Sequence, residues 1–113
     1  MGTDITITAN VLDKKEFDIL KKAFNAHRFD KNSGVEYEYK KGMFSYHGKC
    51  KSNPIKKKFL FWEYDAHESA CDEGKEIDEI SKEFPNIEFT FESSDMDGTS
   101  IIKAGKAKFT AYP

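Results

Sequence analysis

Hydrophobic and polar residues alternate with a period of two over several stretches of this 113-residue chain, and over two others they recur at helical spacing. Ile5, Ile7 and Ala9 alternate with Thr6 and Thr8, which predicts a strand with one buried face. Asp13 precedes Glu16 by three residues, as a helix cap and its reciprocal partner do, and Phe17, Leu20, Phe24 and His27 follow at helical spacing. Val35, Tyr37 and Tyr39 alternate with Glu36, Glu38 and Lys40. After the turn residues Lys41 and Gly42 the same period continues at Phe44 and Tyr46, so a hairpin is expected. A lysine-rich loop around Pro54 leads into Phe59 to Tyr64, a short aromatic run that reads as a strand buried on both faces.

A second helix is predicted over about Ser69 to Phe84. Ala70, Ile77, Ile80 and Phe84 share one face, Gly74 weakens the first turn and Pro85 enforces the end. Ile87, Phe89 and Phe91 then alternate with Glu88, Thr90 and Glu92. Asp97 and Gly98 turn the chain into a last strand or strand pair from Thr99 to Tyr112, interrupted at Gly105. The expected order is β-α-β-β-β-α-β-β. It predicts a single α+β domain over 1–113, a ferredoxin-like sandwich with a mainly antiparallel sheet and two helices on one face.

Composition adds that the chain can build a core. Ten phenylalanines, five tyrosines and one tryptophan supply bulk that the aliphatic residues alone would not, and 34% charged residues suit a soluble surface. The longest uncharged apolar run, Phe59 to Trp62, is far short of a membrane span, and the N-terminus lacks the pattern of a signal peptide. A cytoplasmic protein without membrane contact is therefore expected, and Cys50 and Cys71 are read as free thiols.

Charge changes the picture more. Residues 5–62 carry 13 Lys/Arg against 6 Asp/Glu, whereas Glu63 to Asp97 carry 13 carboxylates against two lysines, so a net charge of -2 hides about +7 in one part and -11 in another. Such asymmetry points to partners.

The stretch Ser81 to Phe89, a helix stopped by proline before a strand, lies between an aromatic strand and an acidic turn. Over roughly 59–106 it resembles the YubB-type ferredoxin-like domain of phage and plasmid proteins. Trp62 is followed by Glu63, Tyr64 and Asp65 in place of that family's prolines, and its Asn-Trp-Cys opening is absent. The resemblance implies a ferredoxin-like fold and a mobile-element origin, and it carries over no catalytic residue.

Candidate chemistry is sparse. His47 with Cys50 and His67 with Cys71 imitate a four-ligand zinc set, but in an unusual order, and ordinary thiols with surface histidines explain them better. Asp95, Asp97 and Gly98 imitate the start of a calcium loop, yet alanine stands at 104 where its glutamate belongs. Glu63 and Asp65 flank the aromatic run as a possible carboxylate pair. No phosphate loop, nucleophile elbow or His-Glu-x-x-His is present, so no enzyme activity, metal or cofactor is expected.

Two binding readings remain. Spaced at 100° per residue, Glu68, Asp72, Glu76, Glu79 and Glu83 fall within an arc of about 80° beside the apolar face of the second helix. The like charges repel at i,i+4, and only Lys75 and Lys82 are at hand to relieve them. With Glu88, Glu92, Asp95 and Asp97 the stripe would form a surface resembling nucleic acid, suited to a protein partner with a basic nucleic-acid site, as in anti-CRISPR or anti-restriction inhibitors. These helix positions face away from the expected core, so neutralising them should cost the fold little. The alternative is direct nucleic-acid binding through Lys49, Lys51, Lys56, Lys57 and Lys58 near Tyr46, Phe59 and Phe61. Against it, the same lysines could simply guard an aggregation-prone strand.

Overall fold

A computed structural model describes residues 2–51, 73–94 and 98–112, with backbone only at 2, 50–51 and 73–75. β1 (Gly2–Asn10) leads to α1 (Lys14–Ala26), a short 3-10 turn at Phe29–Lys31, and the hairpin β2 (Ser33–Lys40) and β3 (Met43–Lys51). α2 (Glu73–Glu83) is followed by β4 (Phe89–Ser93), β5 (Gly98–Lys103) and β6 (Lys106–Ala111). The six described strands join one antiparallel sheet in the order β2-β3-β1-β4-β5-β6. The expected α+β class and hairpin are thus present. The C-terminal segment resolves into two strands, one more after α2 than the expected order counted. The strand expected over Phe59 to Tyr64 lies outside the described residues.

β1 organises the sheet. Its Ile5, Ile7 and Ala9 are buried, and Ile7 lies opposite Tyr46 of β3 on one side and Phe91 of β4 on the other. Because partnered residues point to the same face, one apolar floor forms from Phe44, Tyr46, Ile5, Ile7, Ala9, Phe89, Phe91 and Ile102. Phe17, Leu20 and Phe24 of α1 and Ile77 and Ile80 of α2 close over that floor in the same cluster, so both helices cover one face, as the apolar spacing required.

The helix starts and strand turns follow local chemistry. Asp13 accepts from the Glu16 backbone N–H at 2.9 Å, while the Glu16 carboxylate reaches back to the N–H of Leu12 at 2.9 Å, one residue earlier than the usual reciprocal partner. Both two-residue hairpin turns require positive φ twice, met by Lys41 (53°) with Gly42 (75°) and by Ala104 (52°) with Gly105 (81°). Ser81, fully buried on α2, donates to the Asp78 carbonyl and accepts from the Gly105 N–H at 2.8 Å, which ties the last hairpin to the helix layer.

Phe24 is the aromatic hub, with ring centroids 4.8 Å from both Phe29 and Phe44 and 5.6 Å from Tyr46. Tyr46 itself is fully buried, and its hydroxyl donates to the Phe29 carbonyl and accepts from Asn32 Nδ2, both at 2.8 Å. Gly48, two residues on, leaves room for that hydroxyl, since a Cβ there would fall 2.5 Å from it. Replacing Tyr46 by Phe should therefore cost about 1–2 kcal/mol, because the Phe29 carbonyl loses its donor inside the fold. A lower urea midpoint at unchanged slope is the expected result.

Candidate partner-binding surface

The acidic stripe runs along α2 beside its apolar residues. Ile77 and Ile80 bury at one face, and a helix places Glu76, Glu79 and Glu83 along the adjoining one. Their side chains are 42%, 56% and 52% exposed, so the row is open to solvent over about 10 Å of helix rise. Glu68, Asp72, Asp95 and Asp97 lie outside the described residues.

Two of the carboxylates also make a contact within the fold. His27, at the C-terminal end of α1, donates from Nδ1 to Glu76 Oε1 at 2.8 Å and from Nε2 to Glu83 Oε2 at 2.8 Å. Carboxylates only accept when ionised, so making both bonds at once requires hydrogen on both ring nitrogens, the imidazolium form. The cation also meets the negative end of the α1 dipole. Residues 49 and 56 positions apart are thereby joined in one latch across the helix layer.

Glu79 sits between these two on the stripe and takes a hydrogen bond from Lys82 at 2.8 Å. That bond and the Lys82 charge hold its carboxyl below the ordinary range, with a smaller push from His27, and Glu79 raises Lys82 in return. One i,i+3 pair therefore relieves part of the repulsion along the helix.

The remaining acidic positions do not join the stripe. Glu88 and Glu92 alternate with the core residues Ile87, Phe89 and Phe91, and so project from the opposite face of the sheet. Glu92 is engaged there, accepting from Tyr112 at 2.6 Å and Thr99 at 3.3 Å. A single surface running from Glu76 to Glu92 is ruled out by the thickness of the sheet.

The basic alternative is thinly represented among the described residues. Lys49 projects from the open face of β3 with Asp4 at 3.9 Å, while Lys51 is described by backbone only and Lys56, Lys57 and Lys58 lie outside. Other lysines stand on that open face: Lys103 lies directly opposite Lys106, with Lys108 next along the edge strand. Like charges facing across a strand pair repel, and on an edge they deter pairing with another chain.

Of the four residues suggestive of zinc, His47 is exposed on the open face opposite Thr6, Cys50 is described by backbone only, and His67 and Cys71 lie outside the described residues, as do Glu63 and Asp65. No three His, Cys, Asp or Glu side chains gather to hold a metal ion among the described residues. None of the described helices is long and apolar enough to cross a membrane.

His27 and Tyr112 are the site residues that the sequence did not single out for these roles, whereas Lys82 relieves the row as its place on the helix suggested. His27 falls in line with Phe17, Leu20 and Phe24, and that spacing reads as core. The only hint was a histidine ending an apolar helical face in a chain whose other helix is acidic.

The geometry defines a class, a two-layer α+β protein whose second helix displays a carboxylate row partly held by a histidine. No protein-family model matches the chain, and no curated protein or solved structure is significantly similar to it.

The latch makes stability depend on pH. Burial alone would lower the His27 value, but hydrogen bonds and charge from Glu83 and Glu76 outweigh it, and the folded-state value rises above 6.5. The unfolded chain binds this proton less tightly. The stabilisation is therefore fully present below 6.5 and is lost as pH climbs through the folded value. At about pH 6 the His27→Gln variant should be less stable than the native protein by about 1 kcal/mol, the yield of two partly exposed ion pairs. That gap in urea midpoints should close toward about pH 9, where histidine is neutral.

Proposed function

We propose that this chain is a small non-enzymatic interaction protein that offers the acidic face of α2 to a basic surface on a protein partner. The observation that carries this reading is the row Glu76, Glu79 and Glu83, exposed on successive turns of a helix whose own cations are few. Complementary charge of this kind speeds encounter and sets register. The contact is smaller than a carboxylate surface wrapping two elements, since Glu88 and Glu92 belong to the other side of the sheet.

The scaffold reading goes with it. β1 and β2 run parallel with β3 between them, and β3 and β4 run parallel with β1 between them. Two interleaved βαβ units in the order β4-β1-β3-β2 support a ferredoxin-like core to which β5 and β6 are added. The resemblance to YubB-type domains supplies a mobile-element setting, where such a helix would compete with nucleic acid for the basic site of a defence protein. Direct nucleic-acid binding through Lys49, Lys51, Lys56, Lys57 and Lys58 is the competing reading.

The test is capture of a partner from bacterial lysate by the native protein and by a variant with Glu76, Glu79 and Glu83 changed to Gln, checked first for folding by circular dichroism. Slower association and weaker capture at physiological salt are expected of the variant. Unchanged capture by a folded variant would sink the reading. Retention of the native protein on single-stranded DNA or RNA at low salt, abolished by replacing Lys56, Lys57 and Lys58 with Ala, would favour the competitor.

A further inference from the structure

The acidic face of α2 is not vacant within the fold, because one cation already occupies two of its three carboxylates. His27 spans Glu76 and Glu83, which are separated by two helical turns and about 10.5 Å of rise, and draws their side chains toward one ring. The ring is three-quarters covered and is anchored by its own backbone N–H to the carbonyls of Ala23 and Phe24. It is therefore part of α1's end and not a loose surface side chain.

We propose that His27 is an internal competitor for the partner site: while both ring nitrogens donate, Glu76 and Glu83 are closed to an outside lysine or arginine, and loss of one ring proton releases them. The proposal rests on the acidic-helix reading above and adds its regulation. A neutral imidazole has one N–H and one lone pair. It can hold one carboxylate, while its lone pair faces the other and repels it. The local charge of His27, Glu76 and Glu83 together then goes from one negative charge to two.

The groups that bear on this step among the described residues are few. From α2 they are Glu76 and Glu83 in contact, with Glu79 near enough to feel the ring's charge and Lys82 bonded beyond it. From α1 they are the C-terminal carbonyls on which His27 is seated. The folded-state rise of the His27 value agrees with the geometry. Acid therefore closes the site, and mild alkali opens it.

The experiment uses the full chain and a fluorescent octalysine peptide as the cationic probe, with binding followed by anisotropy at constant ionic strength between about pH 5.5 and pH 8.5, where lysine stays charged and histidine titrates. Affinity should rise with pH by roughly 1.5- to 5-fold, the equilibrium equivalent of displacing exposed ion pairs, with the midpoint of the His27 ring protons in NMR. Those protons are assigned by their loss in His27→Gln, which should bind the peptide with little dependence on pH. In Glu76→Gln and Glu83→Gln the ring should titrate at lower pH than in the native chain.

Peptide binding that does not vary with pH, or that varies equally in His27→Gln, overturns the competitor while leaving the acidic-helix reading intact. A ring midpoint unmoved by both glutamine variants overturns the latch itself. Failure of His27→Gln to bind the peptide at any pH removes the acidic-helix reading and, with it, anything for His27 to compete with. The ring titration then reports only a structural ion pair.

Discussion

One-sided burial of β1 is the constraint on which the other elements depend. Ile5, Ile7 and Ala9 must all point into the helix-covered side, and antiparallel pairing with β3 and β4 makes Tyr46, Phe44, Phe91 and Phe89 follow them. A slip of one residue would bring Thr6 and Thr8 inward and send two isoleucines to water, at a cost of several kcal/mol in lost burial. Register is therefore set at the centre of the sheet and passed outward to β2 and β5. The two helices have one apolar floor to cover, and Phe24 of α1 binds it together by contacting rings of the 3-10 turn and β3.

Covering one floor with two helices brings unlike charges together. α1 is rich in lysine and α2 in glutamate, and neither face turned from the core is neutral by itself. His27 stands where the end of the first meets the side of the second. The latch stabilises the layer, but its partners are the carboxylates that are also the candidate contact surface. Stability and recognition thus draw on the same groups, and proton binding at one ring links them.

The sheet also divides charges that sequence proximity unites. Glu83, Glu88 and Glu92 are neighbours along the chain, yet the first belongs to the helix layer and the other two to the open face. There Glu92 is held by Tyr112, which arrives from the far end of the chain. Among the described residues the open face carries Thr6, Thr8, Thr90, His47 and several lysines, and Tyr112 places its ring there against Glu92.

By itself the sequence determined what depends on local period and local chemistry. The alternation in β1, the β2–β3 hairpin, the Asp13 cap, the core faces of α1 and α2 and the stop at Pro85 all follow from spacing, because backbone geometry converts spacing directly into a shared face. The acidic row on α2 was legible for the same reason. The structure decided between one strand and a pair about Gly105, showed that Glu88 and Glu92 leave the stripe, and brought His27 onto Glu76 and Glu83. The latch turns on which elements become neighbours across gaps of about 50 residues. A histidine in line with phenylalanines carries no mark of the charge it will meet until the second helix is laid beside it.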